Sequence, residues 1–190
     1  MQIDRLLFPI TTLGPGNRLV IWTIGCSKYC FNCANPELLN KNPQKDINVS
    51  ELVKMIKQSV GDQKIEGITI TGGDPLEQIE ELNNLLELLS DISNDILVYT
   101  GYTLEEAKNV ITKSDWEIFE KYTSVLIDGS YVNDLNDNKR ALIGSTNQNI
   151  IFFDDAKKDY YEVYLHEGRK VQNVYYNNDL ISVGIHNRDQ

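Results

Sequence analysis

The sequence predicts an α/β fold arranged around a parallel sheet. Short runs of β-branched residues alternate along the chain with segments of helical periodicity, which is the pattern of repeated βαβ units. The run at residues 18–24 is almost continuously apolar, as expected of a strand covered on both faces of its sheet. Because 41% of the 190 residues are apolar and 24% are charged, the composition is that of a folded protein with a sizeable core.

Five strands are predicted from short runs of apolar and β-branched residues, each bounded by turn-forming or helical segments. These runs lie at residues 18–24, 67–71, 96–100, 124–127 and 149–153. The second run ends where two glycines, an aspartate and a proline follow in succession, a combination that interrupts a strand.

Helices are predicted between these strands. The first begins at Ser50, and the second runs from Pro75 to about Ser90, because apolar residues recur at helical spacing in both segments. Proline is tolerated in the first turn of a helix, where its missing N–H has no partner. Thr103 and Ser114 are each followed three residues later by a glutamate, which is the spacing of a capping box, so two short helices are predicted to begin there.

The last third of the chain is predicted to be rich in strands. Residues 160–165, 170–176 and 180–185 have β character, and turn-like residues separate them. No linker rich in proline, glycine or serine divides this part from the rest, so an antiparallel addition to the main sheet is expected. The sequence therefore predicts one domain over residues 1–190, with a core of about 14–153 and a β-rich C-terminal extension of about 154–190.

The charge balance limits the classes of partner. The chain has 18 basic and 28 acidic residues and a formal charge of −10, so a nucleic-acid backbone would be repelled on average. No stretch approaches 18 uninterrupted apolar residues, and residues 1–5 lack the basic start and long apolar core of a signal peptide. We expect a cytoplasmic protein that binds neither nucleic acid nor membrane.

The three cysteines of the chain, Cys26, Cys30 and Cys33, fall within eight residues directly after the first predicted strand. An odd number in so tight a cluster argues against a secreted disulfide framework and favours ligands. Three thiolates suit a [4Fe–4S] cluster, but they leave one of its four irons without a cysteine. The alternative is a structural zinc site in a non-catalytic module, completed by His166 or His186.

This cysteine spacing and a second motif resemble those of the radical S-adenosylmethionine superfamily. Cys-x3-Cys-x2-Cys after an early strand is similar to the cluster-binding motif, in which S-adenosylmethionine chelates the remaining iron. Thr71, Gly72, Gly73 and Asp74 resemble the glycine-rich stretch that contacts the amino group of that cofactor. The glycines allow close approach of backbone carbonyls, and Asp74 offers an anionic acceptor for an ammonium group. Taken alone, the same segment is a strand-to-helix turn with Asp74 as N-cap.

The form Gly-Gly-Asp-Pro resembles one branch of the superfamily, the activating enzymes of anaerobic ribonucleotide reductase. Further segments similar to that branch lie at residues 14–18, 99–103, 128–129 and 144–148. The resemblance implies that Thr100 and Gly101 lie beside the cofactor, and that residues 144–148 lie near the cluster end of the sheet.

The resemblance also implies a fold, an activity and partners. The fold would be an incomplete (β/α) barrel, and the activity the reductive cleavage of S-adenosylmethionine to a 5′-deoxyadenosyl radical. The radical would take a hydrogen atom from a backbone glycine of an anaerobic ribonucleotide reductase-like partner, with flavodoxin or ferredoxin as electron donor. The alternative keeps the cofactor and changes the substrate to a peptide or small molecule, enclosed by the C-terminal extension.

Overall fold

A computed structural model describes residues 1–187 of the chain and contains a six-stranded sheet in which strand order follows chain order. The strands are β1 (Ile3–Ile10), β2 (Arg18–Thr23), β3 (Gly67–Gly72), β4 (Ile96–Tyr99), β5 (Val125–Asp128) and β6 (Asn149–Phe152). Strands β2 to β5 are parallel to one another, whereas β1 and β6 pair antiparallel at the two edges. The predicted α/β class and the five predicted strands are confirmed, and β1 is a strand that the sequence patterns did not indicate.

Five helices occur in the described part of the chain: α1 (Val49–Val60), α2 (Ile79–Ser90), α3 (Leu104–Val110), α4 (Lys113–Tyr122) and α5 (Lys158–His166). A short 3-10 turn at residues 75–78 leads into α2, so the predicted segment from Pro75 to Ser90 is helical throughout. The capping box at Thr103 is confirmed. The one predicted at Ser114 is wrong, because the hydroxyl of Thr112 accepts the N-terminal bond and Ser114 lies inside the first turn of α4. None of these helices has the length and apolarity needed to cross a membrane.

The two faces of the parallel strands pack against different parts of the chain. Side chains of one parity meet the helices α1, α2 and α4, and they include Ile21, Ile70, Val98 and Leu126. Side chains of the other parity, such as Val20, Leu97 and Ile127, meet the residues that follow β5 and the C-terminal segment. Each strand is therefore buried on both faces, which explains why its sequence is nearly continuous in apolar residues.

The C-terminal segment differs from its prediction in two ways. Residues 158–166 form α5 and not a strand, because Tyr161 and Tyr164 lie one turn apart and are buried together against the sheet. The tyrosines of this segment are therefore helical, whereas Tyr175 and Tyr176 belong to a strand as predicted.

The two remaining predicted strands are present as β7 (Val171–Tyr176) and β8 (Asp179–Gly184). They form a separate two-stranded hairpin. The expectation that they would add antiparallel strands to the main sheet is therefore wrong. Asn177 and Asn178 turn the hairpin with positive φ angles of 50° and 68°, as a two-residue type I′ turn requires. The final three residues of the predicted extension lie outside the described residues.

The amino end of the parallel strands is closed by a buried arginine. The Arg18 side chain is fully buried and donates to the Asp95 carboxylate at 2.9 Å, to the Thr69 hydroxyl at 2.7 Å and to the Ile68 carbonyl at 2.7 Å. Tyr161 of α5 donates to the same carboxylate at 2.7 Å. This network fastens α5 to the sheet and leaves the opposite, carboxyl end of the strands open.

Candidate functional site

A cavity of about 250 Å³ opens at the carboxyl end of the parallel strands. Trp22 of β2, Thr71 of β3 and Tyr99 of β4 line it from three adjacent strands. Parallel strands bring the loops that follow them to one edge of the sheet, which is where α/β proteins bind ligands. The cavity is thus placed by the topology of the sheet.

All three cysteines line this cavity. Cys26, Cys30 and Cys33 are of intermediate exposure, and no disulfide joins them within residues 1–187. Their loop folds back on itself, since the amide of Cys33 donates to the carbonyl of Cys30 at 3.2 Å, and Tyr29 and Asn32 adopt φ angles of 46° and 56°. Burial raises the pKa of the Cys26 thiol. A metal bound at this loop would instead hold the thiolate form.

The cysteine loop is fastened at its start to residues from two other segments. Glu77, in the turn after β3, accepts from the Ser27 hydroxyl at 2.5 Å and from the Tyr102 hydroxyl at 3.0 Å. Partial burial raises the pKa of Glu77, but these hydrogen bonds outweigh it and leave the pKa below its usual value. The Ser27–Glu77–Tyr102 contacts therefore hold the first part of the loop with an ionised carboxylate.

Two glycines allow the loops after β2 and β3 to touch along their backbones. The Gly73 amide donates to the Thr23 carbonyl at 2.8 Å, and the Asp74 amide donates to the Gly25 carbonyl at 2.7 Å. A Cβ atom on Gly73 would stand only 2.4 Å from the Gly25 carbonyl oxygen, so no other residue fits without displacing backbone. The glycine-rich motif is thus packed directly against the residue that precedes Cys26.

The carboxylate of Asp74 lies beneath the cavity lining. Its side chain is fully buried and accepts hydrogen bonds from the Thr100 hydroxyl at 2.9 Å, the Gly101 amide at 2.8 Å and the Leu76 amide at 3.1 Å. Burial raises the pKa of Asp74 to about 6, although the three donors act in the opposite direction. Asp74 is also the N-cap that the bare sequence pattern predicted. It ties the end of β3 to the end of β4.

The structure brings most of the candidate cofactor residues to one place. Thr71, Gly72, Gly73, Thr100 and Gly101 line the same cavity as the cysteines. Asp74 stands directly behind them, in contact with two of the five. Of the further segments that carry the resemblance, 99–103, 128–129 and 144–148 contribute residues to this cavity. Residues 14–18 do not line it, and Arg18 lies at the opposite, amino end of the strands.

The charged side chains that line the cavity are basic, and both form ion pairs with carboxylates outside the lining. No acidic side chain of residues 1–187 lines it, whereas Arg5 and Lys28 do, although the formal net charge of the protein is −10. Lys28, inside the cysteine loop, lies 3.9 Å from the ring centroid of Tyr102 and 3.2 Å from the Glu106 carboxylate.

The donor set of the cavity fits an iron–sulfur cluster. Thiolates are the ligands that such clusters take, and each of the three cysteines can ligate a different iron. Among residues 1–187, no three His, Cys, Asp or Glu side chains form a group that could hold one metal ion. His186, one of the two residues considered for a zinc site, lines the cavity, whereas His166 does not.

Other residues of the cavity were not identified from sequence patterns. Trp22 and Arg5 line it from β2 and β1, and the run Ile181–His186 lines it from the C-terminal segment. Gln148 of the predicted segment 144–148 also lines it, and its amide group bonds the backbone of Gly129 and Gly144. Alternate residues of β2 face the same side of the sheet, and this alternation could have indicated Trp22. No local pattern in the sequence places residues 181–186 at the cavity.

Comparisons with known proteins find relatives over most of the chain. Residues 12–151 match the family model described as a 4Fe-4S single cluster domain. The chain is 34% identical over 155 residues to the anaerobic ribonucleoside-triphosphate reductase-activating protein of Enterobacteria phage T4, covering 79% of this chain and 93% of the relative. The corresponding protein of Escherichia coli K12 is 30% identical over 142 residues, covering 71% and 88%. The pyruvate formate-lyase-activating enzyme of Staphylococcus aureus USA300 is 28% identical over 147 residues, covering 75% and 57%.

Proposed function

The chain belongs to the glycyl-radical activase branch of the radical S-adenosylmethionine superfamily, and we propose that it generates a glycyl radical on an anaerobic ribonucleotide reductase-like partner. It is an iron–sulfur oxidoreductase of the activating-enzyme type. The observation that carries the proposal is that one cavity brings the three cysteines together with Gly72 and Gly73 at the end of β3 and Gly101 after β4.

Cys26, Cys30 and Cys33 would hold a [4Fe–4S] cluster, and S-adenosylmethionine would occupy the iron that no cysteine ligates. When bound, these groups supply the electron and the 5′-deoxyadenosyl radical that takes hydrogen from the partner's glycine. The role of the protein in this chemistry is to position the bound groups and to exclude water from them. The contacts from Glu77 to Ser27 and Tyr102 hold the cysteine loop against the sheet.

The cofactor-binding residues would act through their backbone and through their shared carboxylate. Thr71, Gly72 and Gly73 present main-chain atoms to the cavity, and the glycines leave room for a ligand at close range. Asp74 fixes the Thr100 hydroxyl and the Gly101 amide from behind, so its buried charge orients the wall of the cavity. A direct contact between Asp74 and the ammonium group of S-adenosylmethionine stays a prediction.

The sheet would be the incomplete (β/α) barrel of the superfamily. In support of this, β2 to β5 follow one another in space in chain order, with helices in each crossover. Right-handed crossovers added in one direction place their helices on one face of the sheet, as in a barrel. The opposite face is then left for the cavity. We also propose that the core of about 14–153 and the C-terminal extension from about 154 belong to one domain, as predicted for residues 1–190.

Anaerobic reconstitution tests the proposed function. The purified chain, supplied with iron and sulfide, should contain about four irons for its three thiolate ligands. With S-adenosylmethionine, a flavodoxin or ferredoxin donor and the reductase of the same organism, it should produce a glycyl radical signal in electron paramagnetic resonance of the reductase. Cys30→Ala should abolish cleavage of S-adenosylmethionine, and Cys30→Ser controls for the size of the side chain.

Two results would contradict the proposal in different ways. Zinc without iron or labile sulfide would exclude the cluster and restore the non-catalytic zinc module. Cleavage of S-adenosylmethionine without a radical on the reductase would retain the cofactor chemistry and exclude the activase, leaving a peptide or small molecule as substrate.

A further inference from the structure

The C-terminal hairpin forms a wall of the cavity although it lies outside the part of the chain that matches the cluster-domain family. That match ends at residue 151, whereas residues 181–186 line the cavity together with the cysteines. The hairpin therefore adds to the cavity a wall that the residues matched by the cluster-domain family do not supply.

The cavity runs along the edge of β8 and not along one of its faces. Side chains alternate between the two faces of a strand, yet the last four residues of β8, 181–184, all border the cavity, as do Ile185 and His186 after the strand. The apolar side chains of Ile181, Val183 and Ile185 pack against the core below. One edge of β8 pairs with β7, so the edge beside the cavity is the other one.

The free edge of β8 presents main-chain hydrogen-bonding groups toward the cavity. In an antiparallel hairpin, residues exchange hydrogen bonds at alternate positions only, and the tight turn makes Tyr176 and Asp179 the first bonded pair. It follows that Ser182 and Gly184 direct their N–H and C=O groups away from β7. The Ser182 carbonyl does so, since it lies 3.3 Å from Nε2 of His186. Among residues 1–187, neither amide donates to a backbone carbonyl outside the hairpin.

Hydrogen bonds attach this wall to the rest of the protein at two points. The Thr12 hydroxyl donates to the Val183 carbonyl at 2.9 Å. The Arg169 guanidinium, with 5% of its side chain exposed, donates to the carbonyls of His186 at 3.0 Å and Gly144 at 3.2 Å. Arg169 thereby joins the end of the hairpin to the 144–148 loop on the other side of the cavity. The edge of β8 is formed before any partner binds.

We infer that the partner's glycine-bearing segment binds in extended form as an added strand along the free edge of β8. This inference rests on the proposed function. A target glycine has no side chain to recognise, so its segment is best held through main-chain groups, as in β-strand addition. The edge lies in the same cavity as the cysteines, so a segment paired with it is held beside the cluster site.

Replacing one outward amide tests the inference. Ser182→Pro removes the N–H that faces the cavity, and proline is tolerated at an edge position that bonds nothing in its own sheet. Ser182→Ala, the matched control, keeps the amide and removes only the exposed hydroxyl. The probe is a fluorescein-labelled synthetic peptide carrying the radical-site glycine of the reductase, titrated by anisotropy against the reconstituted protein with S-adenosylmethionine.

We expect Ser182→Pro to raise the dissociation constant of the peptide about tenfold, and Ser182→Ala to leave it within about twofold. In the unsubstituted protein, the peptide should slow hydrogen exchange in the segment 180–186, a measurement that does not depend on how the proline variant folds.

Equal affinity of both variants, unchanged exchange in this segment, or failure of the unsubstituted protein to bind the peptide would each overturn the inference. If the same protein still produces the glycyl radical on the intact reductase, the proposed function stands and only the docking mode is wrong. Absence of that radical with every form of the partner is the separate failure of the proposed function.

Discussion

Removing the Tyr161 hydroxyl should destabilise the protein without affecting its site. Tyr161→Phe deletes the hydrogen bond to Asp95 at 2.7 Å, which is made by a buried hydroxyl to a carboxylate. A hydrogen bond to a charged group contributes roughly 1.5–3 kcal/mol, and phenylalanine keeps the ring packed against Phe152. Asp95 retains Arg18 as its ionic partner, so no charge is left uncompensated. We expect the free energy of unfolding to fall by about 2 kcal/mol.

Tyr160→Phe is the matched control for this substitution. Tyr160 precedes Tyr161 on α5, is 47% exposed, and makes no hydrogen bond through its hydroxyl within residues 1–187. Its removal should change the free energy of unfolding by less than about 0.5 kcal/mol. Urea denaturation of both variants under oxygen-free conditions measures the difference. Iron content should equal that of the parent protein, because the site lies some 15 Å away at the other end of β2. Equal stability of the two variants would refute the claim that the hydrogen bond from Tyr161 to Asp95 fastens α5 to the sheet.

Three further predictions concern the site. Burial raises the pKa of Asp74 to about 6, above its unfolded value near 4. The folded state therefore binds more protons between pH 4 and 6, and stability falls as pH rises through that window, by up to about 3 kcal/mol. Asp74→Asn should lack this decline in urea unfolding, and parallel pH curves would contradict it. Gly73→Ala should lower stability by about 1–3 kcal/mol and reduce iron uptake, because its Cβ meets the Gly25 backbone. Gly101→Ala, which meets a flexible side chain first, should cost less in the same assays. Glu77→Gln should slow iron incorporation by loosening the cysteine loop, and an unchanged rate would show that the loop is held by other contacts.

The parts of the fold predicted from sequence are those governed by local pattern. Strands β2 to β5 are buried on both faces, so their apolar runs were unambiguous. No such run marks β1, because it is an edge strand whose sequence is interrupted by Arg5 and Pro9. The β propensity of tyrosine and valine favours a strand in the segment of α5. The spacing of its two buried tyrosines, Tyr161 and Tyr164, is instead that of a helix.

The site was predicted to the extent that topology dictates it. Residues that follow adjacent parallel strands must meet at one edge, so the cysteines and the residues near Asp74 were expected together. The pattern did not show that the Asp74 carboxylate turns away from the cavity toward the Thr100 hydroxyl and backbone amides. The hairpin wall depends on contacts such as that between Thr12 and Val183, 171 residues apart, which no local signal encodes.

The two attachments of the C-terminal segment explain how a hairpin with few core contacts can form part of a site. Tyr161 fixes α5 to the closed end of the sheet, and Arg169 fixes the segment to the loop beside the open end. β8 follows both points in the chain, and the hydrogen bonds from Thr12 to the Val183 carbonyl and from Arg169 to the His186 carbonyl hold it beside the cavity. A strand edge ordered in advance lowers the conformational entropy lost when an extended chain binds. The buried hydrogen bond between Tyr161 and Asp95, at the amino end of the sheet, thus supports the proposed binding of the partner's segment at the carboxyl end.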